Sequence, residues 1–325
     1  MGGDLGPRIT LPATHCLAKQ YPEIVFSLFG DHRAIQGYFG ASTPDNIIIV
    51  DAPATIAMDE SPAAALRHKR NSSMGLALKS VADGEAVACV SAGNTGALVA
   101  LGCHYIGTVD GVDRPAIGKQ IPTANGNTTY MLDLGANVGC SSEQLIQFAR
   151  LGAGLLHSQS ASALPSVSLL NIGVESNKGI EVIRTAASEL KQYQRFDYAG
   201  FIEGDSIYNG DTNVIVCDGF IGNIALKTSE GLARFLKHSI KTHYQQSLYG
   251  RCLGFLSKTL WREWSEKMDP GRYNGASLLG LNAVVVKSHG GVGATEFSQA
   301  IRTAITLAKQ QSRSTLAERF AYYSR

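Results

Sequence analysis

The feature that most constrains the fold is a regular alternation of short apolar segments with longer segments of helical periodicity. The short segments are apolar at consecutive positions, which is typical of parallel strands buried on both faces. This order predicts a three-layer α/β/α fold around a mainly parallel sheet. The predicted strands are 24–29, 47–50, 86–90, 129–132, 167–172, 199–202, 214–217 and 283–286. The predicted helices are 62–82, 96–106, 141–157, 179–192, 223–248 and 294–310.

Domain organisation follows from the same pattern. The sequence has 325 residues and contains neither an internal repeat nor a linker-like stretch. We therefore expect a single α/β domain over 1–325. A long helical excursion at about 226–268 interrupts the alternation. We expect it to protrude as a helical tip.

Polar, glycine-rich loops follow six of the predicted strands. Carboxyl ends of parallel strands share one edge of a sheet, so these loops are predicted to meet at one rim. Several open into a helix, and the free N–H groups of a first helical turn suit an anion. The pattern predicts an oxyanion site, with phosphate as the best fit, although any single loop also matches an ordinary N-cap and glycine turn. The loops read SAGNTGAL, DLGANVG, GVESNKG, EGDSIYNGD, DGFIGNIALKT and KSHGGVGATEF.

Composition and missing motifs exclude several classes. The sequence lacks G-x-G-x-x-G, a Walker lysine motif and a nucleophile elbow, which disfavours dinucleotide-binding proteins, ATPases and serine hydrolases. The net charge of +2 argues against a nucleic-acid partner. Six widely spaced cysteines predict free thiols and no metal site, and no cofactor is indicated. With no signal peptide or membrane-spanning run, we expect a cytoplasmic protein.

Motifs in a fixed order resemble the phosphate acyltransferase family of bacterial phospholipid synthesis over nearly the whole chain. The resemblance implies a Rossmann-like sheet related to the phosphotransacetylase and isopropylmalate dehydrogenase folds. In that family an opening strand and an acidic residue precede Met-Gly-Gly-Asp, so we expect a sheet that is one strand short here. The motifs are MGGDLGP, KRNSSM, SAGNTGAL, RPAI, LDLGANV, LLNIG, NKG, IEGDSIYNG, VCDGFIGNIALKT and YNGASLLGLNAVVVKSHG.

The resemblance implies transfer of a fatty acyl group from acyl carrier protein to inorganic phosphate, giving acyl-phosphate for phospholipid synthesis. Such a reaction needs a positioned phosphate oxygen and fixed donors for the oxyanion. The candidate catalytic residues are Lys287, His289 and Asn223. The candidate phosphate-binding residues are Asn94, Thr95, Gly96, Gly222, Lys178, Arg70, Ser72 and Ser73.

Each candidate also has an ordinary structural interpretation. Lys287 could be a strand-end lysine in solvent, and His289 a hydrogen-bonded loop histidine. Lys178 could simply begin a helix, and 70–73 could form a cap within a helical region. Cys217 ends an apolar strand and is expected to be a buried structural thiol rather than a nucleophile. The residues expected to orient loops are Asp133, Asn137, Asp205 and Asp218.

The excursion combines basic charge with an amphipathic pattern. Six Lys/Arg and one acid within 226–258 give it a local charge of +5. This surface suits an acidic carrier protein or anionic lipid headgroups, and a solvated helix face is the alternative. Leu253, Leu256, Leu260, Trp264 and Met268 recur at helical steps, which fits either a membrane interface or a dimer contact. The candidate carrier-protein and membrane residues are Arg234, Lys237, Lys241, Arg251, Leu256, Leu260, Trp261 and Trp264.

The resemblance further implies a homodimer in peripheral contact with the inner face of the cell membrane and with its glycerol-3-phosphate acyltransferase. Other functions stay open at this point. They are a phosphotransacetylase acting on acyl-CoA, a dehydrogenase of the isocitrate or isopropylmalate type, and a scaffold that binds carrier protein with reduced activity. The dehydrogenase is disfavoured because no D-x-x-x-D helix pattern lies near the rim.

Overall fold

The computed structural model describes residues 2–156, 164–267, 269–311 and 316–323. The strands are β1 Phe26–Gly30, β2 Ile47–Asp51, β3 Ala88–Ser91, β4 Ala116–Pro122, β5 Thr128–Leu132, β6 Ser166–Leu170, β7 Asp197–Ile202, β8 Val214–Val216, β9 Ala276–Leu279 and β10 Val284–Lys287. The helices are α1 Pro7–Gln20, α2 His32–Phe39, α3 Pro62–His68, α4 Ser73–Ala82, α5 Thr95–Tyr105, α6 Ser142–Leu156, α7 Glu181–Leu190, α8 Gly219–Gln245, α9 Leu248–Leu256, α10 Lys258–Lys267, α11 Ala294–Gln311 and α12 Leu316–Tyr322.

The central layer is an 8-stranded sheet in the order β3-β10-β9-β4-β5-β8-β6-β7, and β1 and β2 form a separate 2-stranded parallel sheet. Helices cover both faces. Phe148 and Leu151 of α6 pack on one face, and Leu78 of α4 and Leu98 of α5 pack on the other. Most strand pairs are parallel. The predicted three-layer, mainly parallel α/β fold is confirmed.

Strand direction differs from the prediction in the centre of the sheet. β4 pairs antiparallel with β5 and β9, and β9 pairs antiparallel with β10. β5 to β8 therefore run opposite to β3 and β10, so the prediction that six strand ends share one rim is wrong. The registers nevertheless place Leu132 opposite Gly118, Gly118 opposite Ser277, and Ser277 opposite Val286. The carboxyl ends of β5 and β10 thus lie at nearly the same level, near the middle of the sheet.

Each predicted strand overlaps an observed one, but β4, β9, α1, α2 and α12 were not predicted. β9 is short and lies between Gly275 and Gly280, both with positive φ, so its flanks read as turns. The predicted helix 62–82 is two helices, because Ser72 caps α4 by accepting from the Gly75 N–H at 3.3 Å. His157, at the end of the predicted helix 141–157, lies outside the described residues.

Candidate active site at the ends of β3 and β10

Six ionisable side chains gather where β3 and β10 end. We call this group the Lys287 cluster. It combines three lysines, one histidine and two carboxylates, and its most buried members are Lys287 and Lys119, each 9% exposed. The members are Asp4, Lys119, Lys227, Glu230, Lys287 and His289.

Strand pairing sets the position of Lys287. It is the last residue of β10 and lies beside Ser91 of β3 in the parallel register. The next residue, Ser288, donates its N–H to the Ser91 carbonyl at 2.8 Å, and its Oγ accepts from Asn274 Nδ2 at 2.8 Å. Asn274 Oδ1 also accepts from the His289 N–H at 3.2 Å. These bonds fix the loop that carries Lys287 and His289.

Helix α8 brings Lys227 and Glu230 to the cluster. The helix is capped by Asp218, whose carboxylate accepts from the Phe220 and Cys140 N–H groups at 2.8 and 2.7 Å. Lys227 Nζ donates to Glu230 Oε2 at 2.9 Å, and Lys119 Nζ of β4 lies 3.7 Å from Glu230 Oε1. A single carboxylate therefore binds two lysines from different elements.

The Met-Gly-Gly-Asp segment supplies the other carboxylate. Gly3 adopts φ +97°, and a Cβ there would lie 2.8 Å from the Ala92 carbonyl oxygen, so only glycine allows this approach to the β3 loop. A Cβ added at Gly290 would lie 3.0 Å from Asp4 Oδ2. Asp4 is thus held against the loop that carries Lys287.

Burial and charge shift the protonation equilibria of the cluster. Burial lowers the pKa of Lys287 to about 8; the charge of Asp4 opposes the shift and Lys227 adds to it. Burial also lowers the pKa of Lys119 and of His289, the latter helped by the charge of Lys227. Burial would raise the pKa of Glu230, but the hydrogen bond from Lys227 and the charge of Lys119 bring it below its usual value. With His289 neutral, three lysines and two carboxylates leave one net positive charge, which suits an anionic ligand.

The exposed His289 can act as a hydrogen-bond donor. Its Nδ1 accepts from the Gly291 N–H at 3.1 Å. In the neutral ring the proton is then on Nε2. Lys287 Nζ donates to the Ser288 carbonyl, which leaves two of its three N–H bonds for a ligand.

The predicted residues Asn94, Thr95 and Gly96 lie at the start of α5, directly after β3 and therefore beside the Lys287 loop. Asn94 Oδ1 accepts from the Ala97 N–H at 3.0 Å, and its Nδ2 donates to the carbonyls of Ala57, Met58 and Glu60 at 2.8 to 3.2 Å. The Asn94 side chain is thus engaged within the fold. The N–H groups of Thr95 and Gly96 occupy the first turn, which is the anion-binding part of a helix.

Gly222 and Asn223 lie in the first turn of α8, which packs on the loop after β5. A Cβ at Gly222 would lie 1.9 Å from the Asp133 carbonyl oxygen and 2.7 Å from Cys217 Sγ. Asp133 is fully buried and accepts from the N–H groups of Ile117, Ala136 and Asn137 at 2.8 to 3.0 Å. Gly222 therefore has a packing function. Asn223 is exposed and precedes Lys227 by one turn on the same face of α8.

The other predicted site residues either follow a different strand or are engaged in local contacts. Lys178 follows β6, five strand positions from β10, a separation of about 24 Å at the usual strand spacing. Arg70 is exposed and donates to the Leu66 carbonyl at 2.7 Å. Ser72 is fully buried and caps α4. Ser73 is also buried, and its N–H donates a hydrogen bond to the Ala54 carbonyl at 2.9 Å. The structure does not bring Lys178 to the Lys287 cluster.

The predicted tip residues lie in the later part of α8 and in α9 and α10, a region (residues 232–267) that we call the helical tip. Arg234, Lys237, Lys241 and Arg251 are exposed, as are Leu256 and Leu260 at 73% and 72%. Trp261 and Trp264 are half-buried and stack with ring centroids 4.9 Å apart. Met268 lies outside the described residues.

Sequence reasoning assigned no catalytic function to four members of the cluster. Asp4 belongs to the motif MGGDLGP, but no function was predicted for it. Lys227 and Glu230 were predicted only as charged residues of the basic excursion at 226–258. Lys119 lies in β4, which was not predicted. The available signal was the spacing of Asn223, Lys227 and Glu230, which places them on one face of a helix.

Among residues 2–156, 164–267, 269–311 and 316–323, no helix is both long and apolar enough to cross a membrane. Within the same ranges, no group of three or more His, Cys, Asp or Glu side chains is placed to hold a metal ion.

Comparison with known proteins gives the family. The family model described as fatty acid synthesis protein matches residues 1–315. The chain belongs to this family. Two family relatives are phosphate acyltransferases. The one from Saccharophagus degradans is 45% identical over 306 residues, which cover 94% of this chain and 89% of that protein. The one from Shewanella halifaxensis is 45% identical over 314 residues, covering 96% and 92%. This member of the fatty acid synthesis protein family is accordingly an acyltransferase.

Solved structures confirm the predicted relation to the phosphotransacetylase fold. A phosphotransacetylase from Streptococcus pyogenes matches with a TM-score of 0.62 at 15% identity, covering 94% of this family member and 92% of that chain. The EutD phosphotransacetylase from Staphylococcus aureus matches with a TM-score of 0.56 at 18% identity, covering 92% and 91%. At these identities the likeness concerns the fold alone.

Proposed function

We propose that the protein transfers an acyl group from a thioester to inorganic phosphate, and that phosphate binds at the Lys287 cluster. The observation that carries this proposal is the buried Lys287 at the end of β10, surrounded by two further lysines and a histidine. The family relatives named phosphate acyltransferase support the same acceptor. In this proposal phosphate lies between Lys287, Lys227 and the first-turn N–H groups of Thr95 and Gly96.

The reaction needs no strong base, because phosphate is already an anion at neutral pH. A phosphate oxygen attacks the thioester carbon, the new C–O bond forms, and the C–S bond then breaks to release the thiolate. Holding the phosphate and the thioester together contributes up to about 7–11 kcal/mol in well-aligned cases. Lys287 orients the phosphate, and the Nε2–H of His289 donates to the oxyanion of the tetrahedral intermediate. Asn223 and Lys227, on the adjacent face of α8, contact the remaining phosphate oxygens.

Direct transfer fits the environment of Cys217 better than an acyl-cysteine intermediate. Burial raises the pKa of the Cys217 thiol, with the charges of Asp133 and Asp218 adding to the shift. Cys217 Sγ also donates to the Asp133 carbonyl at 3.3 Å. A neutral, buried thiol is a poor nucleophile, so this cysteine has a structural function in the proposal.

For the acyl donor we propose acyl carrier protein, which docks on the basic face of the helical tip. Arg234, Lys237, Lys241 and Arg251 present positive charge to solvent, and acidic partners are steered by such surfaces. The exposed Phe255, Leu256 and Leu260 (78%, 73% and 72%) would rest in the interface of the cell membrane, or against a second copy of the chain. The acyl-phosphate would then pass to a membrane acyltransferase that uses glycerol-3-phosphate, for phospholipid synthesis.

The experiment measures thiol release from palmitoyl-acyl carrier protein and from palmitoyl-CoA, each with and without inorganic phosphate. We expect release that requires phosphate and is faster with the carrier protein. Phosphate-dependent release from the CoA ester alone would favour the second candidate, a phosphotransacetylase acting on acyl-CoA, which the fold also fits. Binding of carrier protein without release from either donor would reduce the chain to a scaffold and contradict the proposed function.

A further inference from the structure

Glu230 is an unexpected group in a site for an anion. Its carboxylate lies in the Lys287 cluster, and its side chain is mostly buried. A carboxylate beside phosphate repels it, so on charge alone the removal of Glu230 should tighten phosphate binding. The contacts of Glu230 indicate a different outcome.

The two oxygens of Glu230 contact lysines of unequal burial. Oε2 accepts from Lys227 Nζ at 2.9 Å, and 43% of the Lys227 side chain is exposed. Oε1 lies 3.7 Å from Lys119 Nζ, and 10% of the Lys119 side chain is exposed. An exposed ion pair on a helix contributes little to stability, whereas a buried cation depends on its counter-charge. Lys119 is therefore the lysine that needs Glu230.

The surroundings of Lys119 are otherwise apolar. It lies between Ile117 and Ile121 on one face of β4, and both isoleucines are buried in the apolar cluster that contains Met131. Met131 is also the neighbour of Lys119 across the β4–β5 pair. Among the residues that the structure describes, Glu230 is the only carboxylate that forms an ion pair with Lys119. An apolar side chain would occupy this position at lower cost, so packing alone does not account for a lysine here.

The charge of Lys119 depends on Glu230. Burial lowers the pKa of Lys119; the charge of Glu230 opposes the shift, and the charge of Lys227 adds to it. Without the carboxylate, the buried amine would hold its proton less tightly, and a neutral amine binds phosphate weakly. Glu230 thus contributes a cation to the site, although it is itself negative.

We propose that Lys119 is a further phosphate ligand and that Glu230 is the positioning residue that keeps its ammonium group charged and directed at the anion. This role rests on the proposed function of the Lys287 cluster and extends it. Lys119 and Lys227 flank the same carboxylate, so an anion beside Glu230 meets both ammonium groups. Removing Glu230 takes away one negative charge and, with the proton of Lys119, one positive charge. The net charge of the cluster then stays the same, but phosphate loses one charged donor.

The test measures phosphate binding to the full chain from the rise of its thermal midpoint with phosphate concentration, which needs no turnover. The variants are Glu230→Gln, Lys119→Met and the two combined. Asp83→Asn is the matched control, because Asp83 pairs with Lys79 near the end of α4, where the two side chains are 43% and 51% exposed. KM for phosphate and KM for palmitoyl-acyl carrier protein are measured on the same proteins.

We expect Glu230→Gln to weaken phosphate binding by about tenfold, the scale of one lost charge-assisted hydrogen bond, and to change KM for the acyl donor by less than about twofold. Lys119→Met should weaken phosphate binding to the same extent. The double variant should bind phosphate no more weakly than either single variant, because Glu230 acts through Lys119. Asp83→Asn should leave phosphate binding unchanged, and Glu230→Asp, which retains the charge, should recover most of the affinity lost in Glu230→Gln.

Unchanged or tighter phosphate binding in Glu230→Gln would overturn the proposal, since that result is expected from the loss of a repulsive charge alone. Unchanged binding in Lys119→Met would also overturn it. This variant is expected to fold, because methionine suits the apolar position between Ile117 and Ile121. Additive losses in the double variant would show that Glu230 acts independently of Lys119 and would contradict its role as a positioning residue.

The binding measurement separates this role from the proposed function. Phosphate-dependent thiol release with equal phosphate affinity in all forms would leave the proposed function standing and overturn the roles of Lys119 and Glu230. The expected order of phosphate affinities without thiol release would support both roles and contradict the proposed acyl transfer alone.

Discussion

The Lys287 cluster and the helical tip are both basic, yet they differ in burial. Lys287 and Lys119 are each 9% exposed and lie within reach of two carboxylates, whereas Arg234, Lys237 and Lys241 are exposed on a helix surface. A buried cation interacts strongly with one ligand in one place, because little water screens it. An exposed cation acts over a distance, weakly and in a salt-dependent way. Helix α8 connects the two regions, so one element contributes to both.

The largest effect is expected from Lys287→Met. Removing the buried cation should lower phosphate-dependent acyl transfer by about 10²–10³-fold, the usual cost of a lost fixed electrostatic contact in an active site. The fold should tolerate the change, because methionine fills a similar volume without a buried charge. The measurement is kcat/KM for phosphate together with the thermal midpoint. Lys178→Met, about five strand positions away, is the control and should lose less than about twofold. Equal losses in the two variants would contradict the proposed site.

The start and the middle of α8 should respond oppositely to the same substitution. Gly222→Ala should destabilise the protein by about 1–3 kcal/mol, because its Cβ would lie 1.9 Å from the Asp133 carbonyl oxygen. Gly231→Ala, with nothing within 4 Å, should stabilise α8 by about 0.5–1 kcal/mol. Urea unfolding of both variants measures this difference. Similar free energies of unfolding would contradict the close packing of Gly222 against the Asp133 carbonyl.

The apolar side of the tip is tested by Leu256→Glu combined with Leu260→Glu. Each leucine is more than 70% exposed in the structure and would be buried in a lipid interface, where a leucine contributes about 1.5–3 kcal/mol. Flotation with anionic phospholipid vesicles should fall by about tenfold or more, while thiol release in solution should stay unchanged. Leu232→Glu is the matched control, because Leu232 lies on α8 and not on α9 or α10, which carry Leu256 and Leu260. Unchanged flotation of the double variant would remove the membrane contact from the proposal.

The pH dependence should distinguish the buried lysine from the exposed ones. Burial lowers the pKa of Lys287 to about 8, so its ammonium form, which binds phosphate, is lost as the pH rises through that value. We expect kcat/KM for phosphate to fall by up to about tenfold per pH unit above about 8. Lys287→Arg should abolish this fall, because arginine stays protonated. An identical profile in the two proteins would assign the titration to another group.

The smallest effect is expected from the tip charges. Lys237→Glu with Lys241→Glu should raise KM for acyl carrier protein by about three- to tenfold at low salt, with little change in kcat. At about 0.5 M salt the difference should nearly vanish, because exposed charges are screened. Steady-state kinetics at both salt concentrations provide the measurement. A KM that responds equally at both would mean that the carrier protein does not dock through these charges.

The sequence by itself determined the layers of the fold and the loops that flank the site. Apolar runs that alternate with helical periodicity indicate a mainly parallel sheet covered by helices, whatever the order of the strands in the sheet. Each predicted strand accordingly overlaps an observed one. The loop VVVKSHG was identified for the same reason, since Lys287 and His289 follow a strand buried on both faces. Such patterns can be predicted because they depend only on residues that are consecutive in the chain.

Only the tertiary structure decided which polar residues meet. In the sequence, Asn94 and Lys287 look equally suited to bind phosphate. In the structure, the Asn94 side chain is already hydrogen-bonded to the backbone of Ala57, Met58, Glu60 and Ala97. Lys119 joins the cluster because β4 runs antiparallel to β5, a direction that no local pattern encodes. Hydrogen-bond partners and strand directions depend on residues distant in the chain, and only packing brings these together.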